Sequence, residues 1–272
     1  MVATWLSRIN ESQIWHRPVA LSGMRFVPPT LDRWVALQAH RFRLMGSAEF
    51  NFFQRFVGPA SHIVDVGANQ GIYSLFLSRQ VGEGKVYAFE PDPSLFGALA
   101  ANVELNRAQN VVLFNAAAAS QPSKLLLRPG RLNRGDNRIA RFENGSAGAI
   151  EVAAVTLDQV ITDHRVDLLK IDVQGFEFDV LRGAFQIIQA NPALLILLEF
   201  WPHGLTLAGS SAEELLNLLQ EAGFLLFRFN KNLEFQPFVY NPATWSRSDQ
   251  FCNLVAVRDS GRLNGFCPGG TK

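Results

Sequence analysis

From residue 62 onward, short apolar, β-branched runs alternate with longer stretches of helical period, the pattern of a parallel sheet covered by helices. The runs predict strands over 62–66, 85–89, 111–116, 167–171, 193–198, 224–229 and 253–257. After Pro93, residues Phe96, Leu99, Ala100 and Val103 share one helix face. Asp92 stands where an N-cap is needed, and Pro93 occupies a first turn, where a missing N–H costs nothing. Val180, Leu181, Ala184, Ile187 and Ile188 form a second apolar stripe, expected as one helix over the sheet. Ser211 with Glu214 fits a capping box, and Gly223 stands where a left-handed stop precedes the next strand. Residues 62–258 therefore read as one doubly wound α/β unit and 1–61 as an N-terminal helical arm. The turn-rich stretch 121–148 reads as an inserted loop or hairpin, followed by a strand-like pattern over 149–157, and 259–272 as a flexible tail.

Composition narrows the function classes. A chain of 272 residues with 48% hydrophobic and 18% charged positions can bury a sizeable core, which excludes intrinsic disorder. A net charge of +1 gives no global attraction to nucleic acid or anionic lipid, and neither partner is expected. Cys252 and Cys267 are too few for a disulfide framework or a cysteine zinc site, so a reducing, cytoplasmic location is expected. Arg8 and Glu11 interrupt any signal peptide, and the apolar run 193–198 is too short to cross a bilayer. Trp5, Trp15 and Trp34 point to packed structure in the arginine-rich first 60 residues rather than a transit peptide.

In a doubly wound sheet, ligands bind beyond the carboxyl ends of the strands, which makes the strand-ending residues the ones to weigh. The first end reads Asp65-Val66-Gly67-Ala68-Asn69-Gln70-Gly71. A dinucleotide fingerprint needs glycine at the places held here by Asn69 and Ile72, which disfavours a pyrophosphate cofactor. An acid such as Asp65 would repel a pyrophosphate and attract an ammonium group. Glu90, ending the second strand beside Pro91, suits a ribose diol, because a carboxylate accepts two hydrogen bonds. S-adenosylmethionine carries that diol, an ammonium, an adenine and a sulfonium, and is the cofactor expected here.

Three stretches, VDVGANQGIYS, YAFEPDPSLFGALAANVELN and LLKIDVQGFEFDVLRGA, resemble the S-adenosylmethionine-dependent methyltransferases of the FkbM type over residues 47–258. The resemblance implies the class I, Rossmann-like fold, a seven-stranded, mostly parallel sheet with an antiparallel last strand and helices on both faces. It also implies methyl transfer to a hydroxyl oxygen of a small molecule such as a sugar or secondary metabolite. Carried over by residue, Asp65, Gly67, Asn69 and Gly71 with Ala68 match the glycine loop, Glu90 with Pro91 the ribose acid, and Asp172 with Val173 the acid after the fourth strand. This chain has Gln174 where the family usually has Glu. Asn115 and Ala116, near the end of the third strand, are the expected adenine contacts.

Methyl transfer proceeds largely through alignment, yet an alcohol acceptor must lose a proton. Asp172, His203 and Glu199 are the bases to weigh. His203 in the WPHG that follows the fifth strand is taken as base, beside Asp172, and Glu199 as an acceptor contact. A magnesium ion on Asp172 and Glu199 is a competing arrangement, whereas His16, His40, His62 and His164 lack ligand spacing, and no metal is expected. Lys124, Arg128, Arg131, Arg134, Arg138 and Arg141 make the insertion basic. It either recruits an anionic acceptor through an arginine fork such as Arg138 or is a solvated loop; Phe142 alone is too few aromatics for nucleic acid. Alternatives to O-methylation are transfer to nitrogen or carbon and a cofactor-binding partner module without turnover. Oligomeric state is unspecified.

Overall fold

The computed structural model describes residues 19–21, 23–27, 48–130, 137–140, 148–230 and 234–264. In chain order the elements are β1 (Val19–Leu21), β2 (Met24–Phe26), α1 (Ala48–Phe56), β3 (His62–Val66), α2 (Ile72–Gln80), β4 (Lys85–Phe89), α3 (Pro93–Leu105) and β5 (Val111–Phe114). Next come β6 (Ala117–Ala118), β7 (Ser123–Arg128), β8 (Arg138–Ala140), β9 (Ile150–Val155), α4 (Leu157–Val160), β10 (Leu168–Ile171), α5 (Glu177–Arg182) and α6 (Phe185–Ala190). The chain continues with β11 (Leu195–Phe200), α7 (Pro202–Leu207), α8 (Ala212–Glu221), β12 (Leu225–Phe229), β13 (Phe235–Pro237) and β14 (Cys252–Val257).

The main sheet has the order β13-β12-β14-β11-β10-β3-β4-β5. Strands β5, β4, β3, β10 and β11 are parallel, and β14, last in the chain, lies antiparallel between β11 and β12. Eight strands replace the expected seven, because the three-residue β13 adds to the outer edge of β12. Its Phe235 packs on Phe229, with ring centroids 5.0 Å apart, and on Phe52 and Phe56 of α1, so aromatic burial holds a segment too short to show alternation. The third predicted strand ends at Phe114, because Ala117 and Ala118 turn away into a second sheet of order β6-β9-β7-β8. The insertion is thus a β7–β8 hairpin backed by β9.

Side chains alternate between the two faces of the main sheet. Val64, Val66, Leu169, Ile171, Ile196 and Leu198 join α5, α6 and α8 in one core, and Ile63, Val86, Leu168, Leu195, Leu197 and Val255 join α1 and α2 in the other. The stripe from Val180 to Ile188 is buried as expected, but in two short helices rather than one. The break falls at Gly183, where a Cβ would stand 1.9 Å from the Ala119 carbonyl. Asp92 caps α3, its Oδ1 accepting from Ser94 N at 2.8 Å.

The arm differs from the expected helical one, since its described residues form the β1–β2 hairpin and then α1. Met24 and Phe26 are buried, and Val27 N donates to Asn102 Oδ1 at 2.8 Å, which pins the hairpin to α3. Residues 259–264 also depart from the flexible tail expected there: a 3₁₀ turn at Ser260–Leu263 buries Leu263 against the second core. Trp5, Trp15, Trp34, Arg131, Arg134, Arg141, Phe142 and Cys267 lie outside the described residues. Among the described residues no helix is long and apolar enough to cross a membrane.

Candidate active site

The site grows from the loop between β3 and α2. Gly67 adopts a positive φ of 79°, and a Cβ there would stand 1.9 Å from the Asp172 carbonyl oxygen, so only glycine lets the β3 and β10 loops touch. The backbone N–H groups of Gly67 and Ala68 both donate to Phe89 O, at 3.0 and 2.9 Å, tying the loop to the end of β4. Asn69 follows at φ 53° and points its backbone N–H at Glu90 Oε2, 2.9 Å away. Asp92 N donates to Glu90 Oε1 at 2.8 Å. Burial pushes the Glu90 carboxyl up to about 7, against the pull of these two backbone donors.

These loops border a solvent-open cleft. Gly67, Asn69, Glu90, Pro91, Ala116, Asp172 and Val173 line it, seven of the residues singled out from the sequence. Ala68 and Gly71 do not line it: Ala68 packs with Ala88 and Leu99, and a Cβ at Gly71 would stand 2.6 Å from Leu99 Cδ1. Asn115 spends its amide on the scaffold, donating to Glu90 O at 2.8 Å and Pro91 O at 3.3 Å. Leu95, Leu127, Ile139 and Phe176 supply apolar walls that sequence reasoning missed, because two of them reach the cleft only through the folded-over hairpin. Asn137, also missed, holds that hairpin to the loop by donating to Asp92 Oδ2 at 2.8 Å.

Asp65 requires a correction: it does not face the cleft. It is fully buried, and its oxygens accept from Ser74 Oγ at 2.6 Å and Lys170 Nζ at 3.0 Å. Lys170 is opposite Asp65 in the β3–β10 register, so the two strands carry a charge pair between them, with Nζ also 4.8 Å from the Tyr73 ring centre. Burial opposes the lysine charge, but Asp65, Asp172 and Glu199 outweigh it and raise its pKa. The acids left facing a ligand are Glu90 and Asp172.

Beyond β10 the chain enters a loop held from below by Glu177, whose buried Oε1 accepts from Val173 N at 3.3 Å and Gly175 N at 3.1 Å. Glu177 is a loop clasp that the sequence pattern did not single out, with its carboxyl raised by burial to about 7. Gly175 packs directly on Gly204 of α7, with no room for a Cβ. Between them Gln174, at φ 56°, donates through Nε2 to Glu199 Oε2 at 3.0 Å and to Asp172 Oδ1 at 3.3 Å. Burial, then Asp172 and Glu177, drive the Glu199 carboxyl up to about 9. The Asp172 side chain stays 43% exposed on the cleft wall.

Two proposed acceptor residues sit elsewhere. His203 is exposed on α7, its ring 5.9 Å from that of Trp201, and does not line the cleft. The Arg138 guanidinium lies over the Trp201 ring at 4.5 Å, so its neighbours Asn137 and Ile139, not Arg138, border the cavity. Among the described residues no lysine or arginine lines the cleft, and no cluster of three His, Cys, Asp or Glu is assembled as a metal would require. This set fits a cationic nucleoside without phosphate: a carboxylate for a diol, apolar walls for a flat base and a second acid for positive charge.

Residues 65–226 match the family described as the methyltransferase FkbM domain. The chain belongs to this family. S-adenosylmethionine is accordingly its cofactor, and the protein is a methyltransferase that depends on it. Similar characterised proteins include methyltransferase sdnD of Sordaria araneosa, 27% identical over 69% of this chain and 82% of that one. The 31-O-demethyl-FK506 methyltransferase FkbM of Streptomyces tacrolimicus is 32% identical over 46% of this chain, and the match spans 60% of its own length. The hexuronic acid methyltransferase AglP of Haloferax volcanii is 24% identical over 58% of this chain and 61% of its own. Among solved structures, the precorrin-6y C5,15-methyltransferase of Geobacter metallireducens is 12% identical, with a TM-score of 0.45 over 78% of this chain and 87% of that one.

Proposed function

We propose that this methyltransferase acts on a hydroxyl oxygen of a small molecule, with Asp172 receiving the hydroxyl proton. The observation that carries the reading is the place of Asp172: it directly follows the central strand β10, lines the same cleft as Glu90 and keeps a part-exposed carboxyl group. When bound, S-adenosylmethionine supplies an electrophilic methyl group. Glu90 orients the ribose side of the donor through oxygens already fixed by the Asn69 and Asp92 backbone N–H groups, and Leu95, Leu127 and Ile139 exclude water from the base. Asp172 holds the acceptor hydroxyl for in-line attack, while the Glu199 carboxyl, raised by burial to about 9, stands one amide away and accepts from Gln174 Nε2.

The 31-O-demethyl acceptor in the name of the Streptomyces FkbM supports oxygen as the target, and the hexuronic acid in the name of AglP supports a sugar as the class. The acid-lined cleft favours a neutral polyol over an anion. His203 is left out of the chemistry because it does not line the cleft. A methyl-transfer assay over paired alcohols and amines, reading S-adenosylhomocysteine release and the position of the new methyl group, tests the proposal. An O-methyl product is expected. Methylation at nitrogen or carbon, or tight cofactor binding without product on any acceptor, contradicts it.

A further inference from the structure

We infer that Gln174 is a positioning residue that yokes Asp172 to Glu199 and sets how many negative charges face the donor's sulfonium. The inference rests on the reading that Asp172 borders the methyl-transfer centre. A glutamate at this position would make a third carboxyl in contact with two others. Here a neutral amide takes its place and donates to both acids, at 3.0 and 3.3 Å. The loop geometry holds that amide in place through a left-handed Gln174, a Gly175 wedged against Gly204, and the Glu177 carboxyl clasping the backbone on either side. None of these contacts is needed to close the fold, since β10 and β11 are already paired through four register positions.

The charged and titratable groups around Glu199 are few. Asp172 and Glu177 face it from the loop and α5, Lys170 from β10, and Cys252 from β14. Lys170 is committed to Asp65. Among the described residues Gln174 is a neutral donor bonded to Glu199, and it eases ionisation of Glu199 while burial and the two acids oppose it. With glutamate at 174 the cluster would retain an additional proton at neutral pH and gain an additional negative charge above it.

Two measurements test this. The first follows thermal unfolding against pH for wild type, Gln174→Ala, Glu199→Gln and the double variant. Loss of the amide is expected to carry the pH-dependent fall in stability to higher pH when Glu199 is present and to change nothing when position 199 is Gln. Equal pH profiles for wild type and Gln174→Ala overturn the yoke. The second compares calorimetric affinities for S-adenosylmethionine and S-adenosylhomocysteine, a cationic donor and its neutral-sulfur product, in wild type and Gln174→Glu. Their ratio is expected to equal that of wild type at pH 6 and to favour the donor by roughly threefold or more at pH 8.5. A ratio that stays at the wild-type value throughout overturns the charge-setting role. Failure of wild type to bind either compound would instead sink the cofactor reading, which the first measurement does not depend on.

Discussion

The carboxyl edge of the main sheet holds two sets of acids arranged by different means. On the β3–β4 side, Asp65 is consumed by Ser74 and Lys170, and each Glu90 oxygen is fixed by a backbone N–H. On the β10–β11 side, Asp172 and Glu199 meet through one side-chain amide, and both remain partly exposed. Backbone donors survive every substitution except proline, so the proposed donor half is held in place by the fold itself. The proposed acceptor half depends on the single side chain at 174, and its protonation can change without disturbing the sheet.

Variants that unbalance the two halves sharpen the contrast. The largest effect is expected from Asp172→Asn, which removes the proposed base and should lower turnover of an alcohol acceptor by about 10²–10⁴-fold while leaving cofactor affinity within a few-fold. Loss of cofactor affinity in step with turnover would move Asp172 to the donor half. Next comes Lys170→Met, which strands Asp65 as a buried, unpaired charge and should cost about 3–5 kcal/mol in chemical denaturation. Most of that loss should return in Lys170→Met with Asp65→Asn, and no return would mean that the lysine acts through packing alone.

A smaller effect concerns pH. Between the ordinary carboxyl value of 4.5 and about 9, the folded protein keeps a proton on Glu199 that the unfolded chain has lost, so stability falls as pH rises across that window. Glu90 and Glu177 add to the fall between 4.5 and about 7. Glu199→Gln should flatten the curve between about 7 and 9 and make it shallower between 4.5 and about 7, where Glu90 and Glu177 still act, and an unchanged curve would place an ionised carboxylate at 199. The smallest effect is expected from His203→Ala: turnover within about twofold of wild type, as for a surface change away from any special contact. A hundredfold loss would restore the histidine to the mechanism.

The contrast also explains what could be read in advance. Period and capping located β3, β4, β10, β11 and α3 closely, because Asp92, Pro93 and the apolar runs act locally. The glycine loop and Glu90 were legible for the same reason: a spacing along the chain reports a backbone shape. The fate of Asp65 was not, since its partner Lys170 lies 105 residues away and pairs with it only once β3 and β10 are side by side. The same holds for the walls supplied by Leu127 and Ile139, and for β13, whose three residues are held by aromatic packing from α1 rather than by alternation. Gln174 was visible as a departure from the family wording, but its two acceptors became evident only in the folded loop. His203 misled because following a strand end in sequence does not mean facing the cleft.

Central to this reading is that carboxylates at the sheet edge hold a cationic nucleoside donor without help from any basic side chain among the described residues of the cleft. Calorimetric titration of S-adenosylhomocysteine into wild type and Glu90→Gln tests it most directly, because a diol bound to Glu90 loses about 1.5–3 kcal/mol when the carboxylate becomes an amide. The expected result is saturable binding to wild type that strengthens as pH rises through about 7, where Glu90 ionises, and a weakened, pH-flat isotherm for the variant. No heat from a folded wild type, or equal affinity in the two proteins, would contradict it.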